Sequence, residues 1–427
     1  MSHTVIVSGA RTPVGAFGGS LKGIPVVKLG SLVLKECLIR AGLRPEADEA
    51  LTRFEPEALK GLGMIPLEKQ NYAYEGSAQP IRIDEVIMGN VVGAGQGQNV
   101  SRQAMIGAGI SKETPAFTVN KVCASGMKAL ALAAQSIQLG EADIILAGGM
   151  ENMSLIPYAL PAIRWGARMN DSDMLDLMIF DGLFEIFYGY HMGITAENIA
   201  EKYDISRKEQ DQLGALSHKR AREAIDRGLF KDEIVPVPIP QRKGEPLIFD
   251  TDERPMDTDE DKMARLRPAF KPDGTVTAGN ASGINDAAAA LLLMSEQKAK
   301  ELKLTPLARI RNTKSASLDP AYMGLGPIPA VRKLLSREKL NIDDFGLIEL
   351  NEAFASQAIA CMRELKCDPE KTNVLGSGIS IGHPIGCTGA RIVLTLVNEM
   401  KRKGCELGLA SLCIGGGQGM AMALELI

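Results

Sequence analysis

The sequence is poor in several features that mark particular classes of protein. No apolar run approaches the ~18 residues of a membrane span, and the opening MSHTVIVSGARTPVG is typical of a strand and a turn rather than a cleavable signal. Lys and Arg number 48 against 52 Asp and Glu, with no basic block and one Trp, which argues against a nucleic-acid partner. We therefore expect a cytoplasmic protein that acts on neither membranes nor nucleic acids.

Paired cysteines and common nucleotide or hydrolase motifs are also missing. The seven cysteines lack the short paired spacings of a zinc site or a disulfide framework, so we expect free thiols and no metal site. The loops VVGAGQGQN and LGSGISIG lack G-x-G-x-x-G spacing with a following acidic residue, and no Walker lysine is present. The absence of a G-x-S-x-G elbow disfavours a serine hydrolase.

What the sequence does have is an alternation of strand-like and helix-like segments. TVIVSGA, DEVIMGN and DIILAGG alternate with KLGSLVLKECLIRAG and SGMKALALAAQSIQLG, a pattern typical of α/β proteins. Residues 117–149 run strand, Cys123, helix, strand and GG, and residues 373–417 run strand, GHPIG, helix, strand, Cys413 and GGG. This similarity predicts two α/β cores that repeat one another, although a chance likeness of two α/β halves stays open on pattern alone.

Two stretches depart from this alternation. Residues 151–278 are first rich in Met, then form a polar helical pattern, TAENIAEKYDISRKEQDQLGALSHKRAREAIDRG, and then become acidic and rich in Pro. We interpret them as an inserted lobe that lies over the site. Residues 47–80 are rich in Pro, Gly and Glu with weak periodicity, which predicts a surface insertion.

One cysteine stands at a junction that favours chemistry. In VNKVCASGMKALALAAQSIQLG, Cys123 follows a β-branched run and precedes a helix. At a helix N-terminus, free N–H groups and the helix dipole stabilise a thiolate. The same position can hold an inert packing cysteine, so the local pattern leaves both interpretations open.

Three further motifs carry candidate functional groups. In GISIGHPIGCTGARIV, glycines and a proline fix the backbone around His383, one of only four histidines, whereas His218 in LSHKRAREA is expected at the surface. In SLCIGGGQG, Cys413 precedes three glycines whose N–H groups can bind an oxyanion or simply allow a tight turn. In LNEAFASQ, Asn351 follows an apolar strand, where an amide can hold a water or a carbonyl group.

Taken together, VNKVCASGMKA, NEAFA, GHPIGCTGAR and CIGGGQG, in this order, resemble the motifs of the thiolase family, specifically of its acetyl-CoA acetyltransferases. The resemblance extends over nearly the whole chain. It implies an α/β fold in which two pseudo-symmetric α-β-α half-domains form a five-layered core and a loop domain covers coenzyme A. The N-terminal half-domain would comprise residues 1–150 with 279–300, the loop domain residues 151–278, and the C-terminal half-domain residues 301–427. The segment 47–80 departs from the short connection usual in the family.

The resemblance also implies roles for the motif residues. Cys123 would accept the acyl group, His383 would activate it, and Cys413 would move the α-proton of a second acetyl-CoA. One oxyanion hole would come from His383 and a water on Asn351, the other from the backbone N–H groups of Cys123 and Gly415. Contacts along the pantetheine and acyl group are implied for Leu183, His191, Met192, Phe270, Ala278, Ser282 and Met323, with Arg254 at the nucleotide end. For the aromatic and methionine residues, ordinary core packing is the alternative.

The implied activity is the reversible condensation of two molecules of acetyl-CoA to acetoacetyl-CoA and CoA. The coenzyme A thioesters would be substrates, with no separate cofactor. A homo-oligomer, either a dimer or a dimer of dimers (a homotetramer), is expected. A broad-range 3-ketoacyl-CoA thiolase of fatty-acid degradation and a non-catalytic acyl-CoA carrier remain alternatives.

Overall fold

The structure is a computed structural model that describes residues 3–427. Its strands are β1 (Thr4–Arg11), β2 (Gly15–Ala16), β3 (Leu43–Pro45), β4 (Gln79–Ile81), β5 (Glu85–Gly89), β6 (Ala116–Val119), β7 (Ile144–Asn152), β8 (Tyr158–Ala159), β9 (Leu175–Asp176), β10 (Phe184–Glu185), β11 (Tyr190–His191), β12 (Val237–Ile239), β13 (Leu247–Phe249), β14 (Asn285–Ser295), β15 (Ala308–Ser317), β16 (Leu347–Leu350), β17 (Leu407–Ile414) and β18 (Gln418–Leu426). Its α-helices are α1 (Val26–Arg40), α2 (Glu49–Thr52), α3 (Pro66–Asn71), α4 (Val100–Gly107), α5 (Ser125–Leu139), α6 (Met192–Lys202), α7 (Arg207–Asp226), α8 (Glu260–Ala264), α9 (Glu296–Glu301), α10 (Pro327–Glu338), α11 (Ala355–Leu365) and α12 (Ile385–Lys403).

The main sheet contains the same strand pattern twice. Its order is β16-β17-β18-β15-β1-β14-β7-β5-β6, with β2 paired to β14. In the first half, β5 is parallel to β7, and β14 is antiparallel to both β7 and β1. In the second half, β16 is parallel to β17, and β18 is antiparallel to both β17 and β15. The matching topology confirms the internal repeat predicted from the sequence.

Helices and strands pack in layers around three apolar clusters. One cluster lies between α1, α4 and the first half of the sheet, and another lies between α10 and the second half. The largest cluster unites α5 and α12 with strands of both halves. The layers are therefore outer helices, first half-sheet, α5 with α12, second half-sheet and outer helices, in agreement with the predicted α/β fold.

The position of α12 explains its composition. Fifteen of its residues are buried, because strands of both halves contact it and α5 lies along its side. A helix that is surrounded by other elements needs an apolar surface on every side, unlike an amphipathic surface helix. Its last turn carries Lys401, Arg402 and Lys403, whose charges favour the negative end of the helix dipole.

The polar helix predicted within residues 151–278 is instead two helices, α6 and α7. Asp204 between them has a φ of 49°, a left-handed conformation that interrupts a helix. Ser206 then begins α7 through a reciprocal capping box with Glu209. The S-x-x-E spacing in SRKE is the sequence signal for this second start.

The surface position predicted for His218 is wrong. Its side chain on α7 is fully buried, and Nδ1 accepts a hydrogen bond from the Met256 backbone N–H at 3.1 Å. Burial, assisted by the positive charge of Arg254, lowers the pKa of His218 to about 4. His218 is therefore a neutral packing residue.

Residues 47–80 form α2, α3 and connecting turns at the surface. Phe54, Leu59, Leu62 and Leu67 are exposed there, whereas Glu68 is buried.

The boundaries predicted for the domains stay a prediction. In the main sheet, β14 lies between β1 and β7. Within residues 3–427, no helix is long and apolar enough to cross a membrane.

Candidate active site

Cys123 lies in a strained turn between β6 and α5. The preceding residue, Val122, has a φ of 46°, a conformation that β-branched residues rarely adopt and that costs about 1–3 kcal/mol. Asn120 Oδ1 accepts a hydrogen bond from the Val122 N–H at 2.9 Å, and Ser125 Oγ donates to the Val122 carbonyl at 2.7 Å. These bonds hold the turn, which places Cys123 in the wall of a cavity directly before the N-cap of α5.

The helices that follow Cys123 and His383 cross with their backbones in contact. A Cβ atom on Gly389 of α12 would lie 2.4 Å from the backbone nitrogen of Met127 on α5, so this crossing requires glycine. The close approach brings the N-termini of α5 and α12 to the same cavity, where both helix dipoles present their positive ends. Cys123 and His383 both line that cavity.

The hydrogen bonds of His383 fix which ring nitrogen carries the proton. Nδ1 lies 2.7 Å from Thr388 Oγ1, and the Thr388 hydroxyl donates its single hydrogen to the Pro384 carbonyl at 2.9 Å. Nδ1 must therefore be the donor, which leaves the lone pair on Nε2. Within the described residues Nε2 is buried without a hydrogen-bond partner. Burial, assisted by the positive charge of Arg391, lowers the pKa of His383 to about 3, so the ring is a neutral base.

The second thiol, Cys413, lies near the end of β17 in the wall of the same cavity. Its side chain is fully buried. Burial raises the pKa of Cys413 well above its usual range, and the nearby Cys123 thiol raises it further. The protonated thiol is therefore the resting form. The glycines after Cys413 form the β17–β18 turn, in which Gly416 and Gly417 have positive φ.

The helix N-terminus does not by itself keep Cys123 ionised. Burial raises the pKa of Cys123 to about 11, because a buried thiolate loses its hydration. The backbone N–H groups of Gly415 and of Cys123 itself point at the sulfur and act in the opposite direction. These are the two groups predicted to form an oxyanion hole, and they are too weak to offset burial.

The cavity has a volume of about 290 Å³ and an apolar lining. The predicted substrate-contact residues in its wall are Leu183, His191, Met192, Phe270, Ala278, Ser282 and Met323. The loop domain and the two half-sheets therefore contribute to one cavity. Phe354 and Ile385 also line it, although the sequence reasoning did not single them out. Phe354 lies in NEAFA and Ile385 lies in GHPIG, so their place within these motifs is the sequence signal for both residues.

His191, Met192 and Phe270 pack together as one wall of the cavity. The His191 and Phe270 rings are stacked with centroids 4.7 Å apart. His191 is the N-cap of α6, and its Nδ1 accepts the Gly193 N–H at 3.0 Å, so in the neutral ring Nε2 carries the hydrogen. The methyl group of Met192 lies 3.0 Å from where a Cβ of Gly415 would be, which places it beside the N–H groups that face Cys123.

Two predicted residues lie outside the cavity wall. Asn351 follows β16 and is fully buried, and neither polar atom of its amide has a hydrogen-bond partner in residues 3–427. Arg254 donates hydrogen bonds to the carbonyls of Ile379, Ala278 and Ala281. These donors are therefore engaged within the chain, and the nucleotide contact implied for Arg254 stays a prediction. In residues 3–427, no three or more His, Cys, Asp or Glu side chains group as metal ligands.

Comparisons with known proteins agree with this architecture. Residues 4–52 and 70–297 match the thiolase N-terminal domain, and residues 304–426 match the thiolase C-terminal domain. The chain therefore belongs to the thiolase family. The unmatched residues 53–69 lie inside the predicted surface insertion.

Relatives match over the full chain. The acetyl-CoA acetyltransferase of Syntrophomonas wolfei is 51% identical, covering 100% of this chain and 99% of that protein. The acetyl-CoA acetyltransferase of Cupriavidus necator is 49% identical over 100% of both chains. A Staphylococcus aureus protein named "Probable acetyl-CoA acyltransferase" is 48% identical over 100% of this chain and 99% of its own length. The alignments cover nearly the whole length of each relative, so this chain and these relatives have similar lengths.

A solved structure matches equally widely. The crystal structure of the Bacillus anthracis acetyl-CoA acetyltransferase has a TM-score of 0.89 with 42% sequence identity, covering 100% of this chain and 99% of that one.

Proposed function

We propose that this thiolase is an acetyl-CoA C-acetyltransferase that condenses two molecules of acetyl-CoA reversibly through an acetyl-Cys123 intermediate. One observation carries the proposal: a single apolar cavity is lined by two thiols, Cys123 and Cys413, and by His383, whose Nε2 has no hydrogen-bond partner within residues 3–427. Full-length relatives named acetyl-CoA acetyltransferase support it. Because the thiols and the imidazole supply the acyl carrier and the acid–base groups, the proposed reaction uses coenzyme A thioesters as substrates and requires no further cofactor.

The first half-reaction transfers an acetyl group from CoA to the protein. His383 Nε2 takes the proton from the Cys123 thiol, and the thiolate attacks the thioester carbonyl. The resulting imidazolium and thiolate attract each other strongly in a cavity of low polarity. Collapse of the tetrahedral intermediate breaks the bond between the carbonyl carbon and the CoA sulfur, and the departing CoA thiolate takes the proton from His383.

The second half-reaction forms the carbon–carbon bond. The Cys413 thiol first gives its proton to His383 Nε2, and the Cys413 thiolate takes a proton from the methyl group of a second acetyl-CoA. The enolate attacks the acetyl-Cys123 carbonyl, and the bond between that carbon and the Cys123 sulfur breaks. The Cys123 thiolate then takes the proton from His383, while Cys413 keeps the α-proton and is again a thiol. Because burial raises the pKa of the Cys413 thiol, its thiolate is a stronger base than an exposed one.

Developing negative charge on the two carbonyl oxygens needs donors already in place. The N–H groups of Gly415 and Cys123 point at the Cys123 sulfur and would bind the oxygen of the acyl group carried there. For the enolate oxygen we propose protonated His383 Nε2 together with a water on the amide of Asn351, which is otherwise unpartnered in residues 3–427.

Replacing Thr388 with valine should slow acetylation of Cys123 by about 10- to 100-fold, less than the ~10²–10⁴-fold of complete loss of a general base, because His383 itself remains. Valine removes the acceptor that keeps the His383 proton on Nδ1, so part of the population would carry it on Nε2. Rapid-quench measurement of acetyl-enzyme formation, with KM determined in parallel, provides the readout.

The matched control is Thr388→Ser, which keeps the hydroxyl and should restore the rate. A plot of the wild-type acetylation rate against pH should also show no inflection near pH 6.5, the ordinary pKa of histidine. The reason is that His383, with a pKa of about 3, is already neutral throughout that range. Equal loss in the serine and valine variants would contradict the tautomer assignment.

The preferred length of the acyl chain separates the proposed activity from that of a broad-range 3-ketoacyl-CoA thiolase. This second candidate is considered because the Staphylococcus aureus relative is named an acyltransferase rather than an acetyltransferase. Met192, Phe270 and Met323 pack together and line the same cavity as Cys123. A methylene that fits gains about 0.8 kcal/mol, whereas overpacking costs about 1–3 kcal/mol. We expect acetoacetyl-CoA to be cleaved best, with kcat/KM falling at least about tenfold by 3-ketohexanoyl-CoA.

The measurement is thiolysis over a series of 3-ketoacyl-CoA chain lengths, for the wild type and for Met192→Ala. The alanine variant should soften the decline, because it removes the side chain that lies against Gly415. A flat or rising profile out to 3-ketooctanoyl-CoA would favour the broad-range enzyme. Stable binding of acyl-CoA with no turnover would favour a carrier.

The proposal extends to assembly and location. We propose a cytoplasmic homo-oligomer, either a dimer or a homotetramer. Exposed apolar side chains in the loop domain, including Ile163, Trp165, Met169 and Phe187, support an association surface. Light scattering of the purified protein tests this part, and a monomer at micromolar concentration would contradict it.

A further inference from the structure

Glu151, near the end of β7, is a buried carboxylate whose position no part of the proposed chemistry uses. Its side chain is fully buried, and four N–H groups donate to it. None of these donors carries a charge. Burying a carboxylate that only neutral groups stabilise is costly, so its retention calls for a reason connected with function.

The donors come from both halves of the protein. Oε1 accepts the Val92 N–H at 3.2 Å and the Asn90 amide at 3.1 Å, and Oε2 accepts the Val91 N–H at 2.9 Å. These three groups follow β5 in the first half. The fourth donor is the Gly386 N–H at 3.0 Å from Oε2, in the first turn of α12 in the second half.

The contact with Gly386 is a helix cap supplied from another part of the chain. The N-cap residue of α12, Pro384, provides no side-chain hydrogen bond, so the N–H of Gly386 lacks a local partner. Glu151 supplies that partner, and its ionised form places a negative charge at the positive end of the helix dipole. Burial raises the pKa of Glu151 to about 7, while the N–H groups of Val91, Val92 and Gly386 act in the opposite direction and favour the ionised form. A Cβ on residue 386 would lie 2.4 Å from Glu151 Oε2, so only glycine permits this approach.

A continuous hydrogen-bonded path leads from this cap to the nucleophile. The Val91 N–H donates to Glu151, and the Val91 carbonyl accepts from Asn120 Nδ2 at 3.1 Å. Asn120 Oδ1 in turn accepts the N–H of Val122, the strained residue directly before Cys123. Glu151 itself lies outside the wall of the cavity, so it acts through other residues.

We propose that Glu151 is a positioning residue that ties the α12 N-terminus, and with it His383, to the strained turn that carries Cys123. Its carboxylate fixes the geometry between the base and the nucleophile in the proposed transferase. The inference rests on the proposed function, because it concerns the step in which His383 takes the Cys123 proton.

The test is the rate at which acetyl-CoA acetylates Cys123 in Glu151→Gln, measured by rapid quench. Glutamine keeps the volume, but its NH2 group opposes N–H donors. We expect acetylation to be about 10- to 100-fold slower, with KM within about threefold of the wild type. Asp84→Asn is the matched control: Asp84 accepts the Asp143 and Ile144 N–H groups at the opposite end of β7, and this variant should keep the wild-type rate.

Alkylation of Cys123 by iodoacetamide between pH 8 and 9, where Glu151 with its pKa of about 7 is ionised, separates positioning from a simple charge effect. The negative charge of Glu151 raises the pKa of Cys123, so its removal should leave alkylation equal to or faster than in the wild type. A residue that acted through charge alone would also make acetylation faster in Glu151→Gln. Slower acetylation combined with undiminished alkylation is the result that positioning predicts.

A second variant keeps the inference testable if Glu151→Gln does not fold. Asn120 is exposed, and Asn120→Ala breaks the same path nearer to Cys123, so it should also slow acetylation. The double variant should lose little more than the worse single one, because both changes break one path. Wild-type acetylation rates in Glu151→Gln and Asn120→Ala, or fully additive losses, would overturn the inference. A wild-type protein that takes no acetyl group would instead refute the proposed function.

Discussion

Replacing Cys123 with serine should reduce acetyl transfer by roughly 10³-fold or more, because a hydroxyl is a far weaker nucleophile than a thiol at neutral pH. Serine is smaller than cysteine and fits the same turn, so a change of shape would cost little activity. The loss of acetyl transfer should therefore be larger than a change of shape explains. A thioester on Cys123 also exchanges with CoA almost isoenergetically, whereas an oxygen ester does not. The measurement is the rate of CoA release from acetyl-CoA and of acetoacetyl-CoA thiolysis.

A matched control removes a buried thiol that the mechanism does not use. Cys361 on α11 is fully buried, and its Sγ donates to the Gly324 carbonyl at 3.3 Å. Cys361→Ala should therefore retain activity while it removes a buried sulfur. Near-normal turnover in folded Cys123→Ser would eliminate Cys123 as the acyl carrier.

Replacing Cys413 with alanine should abolish exchange of the acetyl-CoA methyl protons with solvent while it still permits acetylation of Cys123. The two thiols line one cavity, but only Cys123 receives the N–H of Gly415 at its sulfur. Cys413 is therefore free to serve as the acid and base for the α-carbon. Condensation should fall by roughly 10³-fold or more, because no other described thiol lines the cavity.

The measurement for Cys413→Ala is deuterium incorporation into acetyl-CoA in heavy water, followed by mass spectrometry, alongside acetyl-enzyme formation. His383→Ala provides the contrast, since loss of the base should impair acetylation as well as condensation. Proton exchange at the wild-type rate in Cys413→Ala would remove Cys413 from the mechanism.

Much of the fold and of the site could be predicted because the signals are local. The turn before α5 and the Gly-rich loop around His383 are short segments with distinctive residues, and strands such as β5, β14 and β17 are largely apolar runs. The convergence of Cys123, His383 and Cys413 followed from the repeat, because equivalent loops of two similar halves lie at equivalent places.

What the sequence could not predict depends on contacts between distant residues. The pKa of Cys123 is raised by burial under elements far away in the chain, an effect that the local helix N-terminus does not reveal. The sequence likewise could not show that Arg254 donates to the carbonyls of Ile379 and Ala281, which lie far from it in the chain. Glu151 lies in the segment AGGMENMS, residues 147–154, but its significance becomes visible only when Gly386, 235 positions away, donates to it.

The most direct test of the account is peptide mapping of the acetylated wild-type protein. The protein would be incubated with acetyl-CoA, quenched in acid, digested and analysed by mass spectrometry. The account predicts an acid-stable acetyl thioester on the peptide that contains Cys123. An acetyl group found only on another residue, or no covalent adduct in a preparation that produces acetoacetyl-CoA, would contradict it.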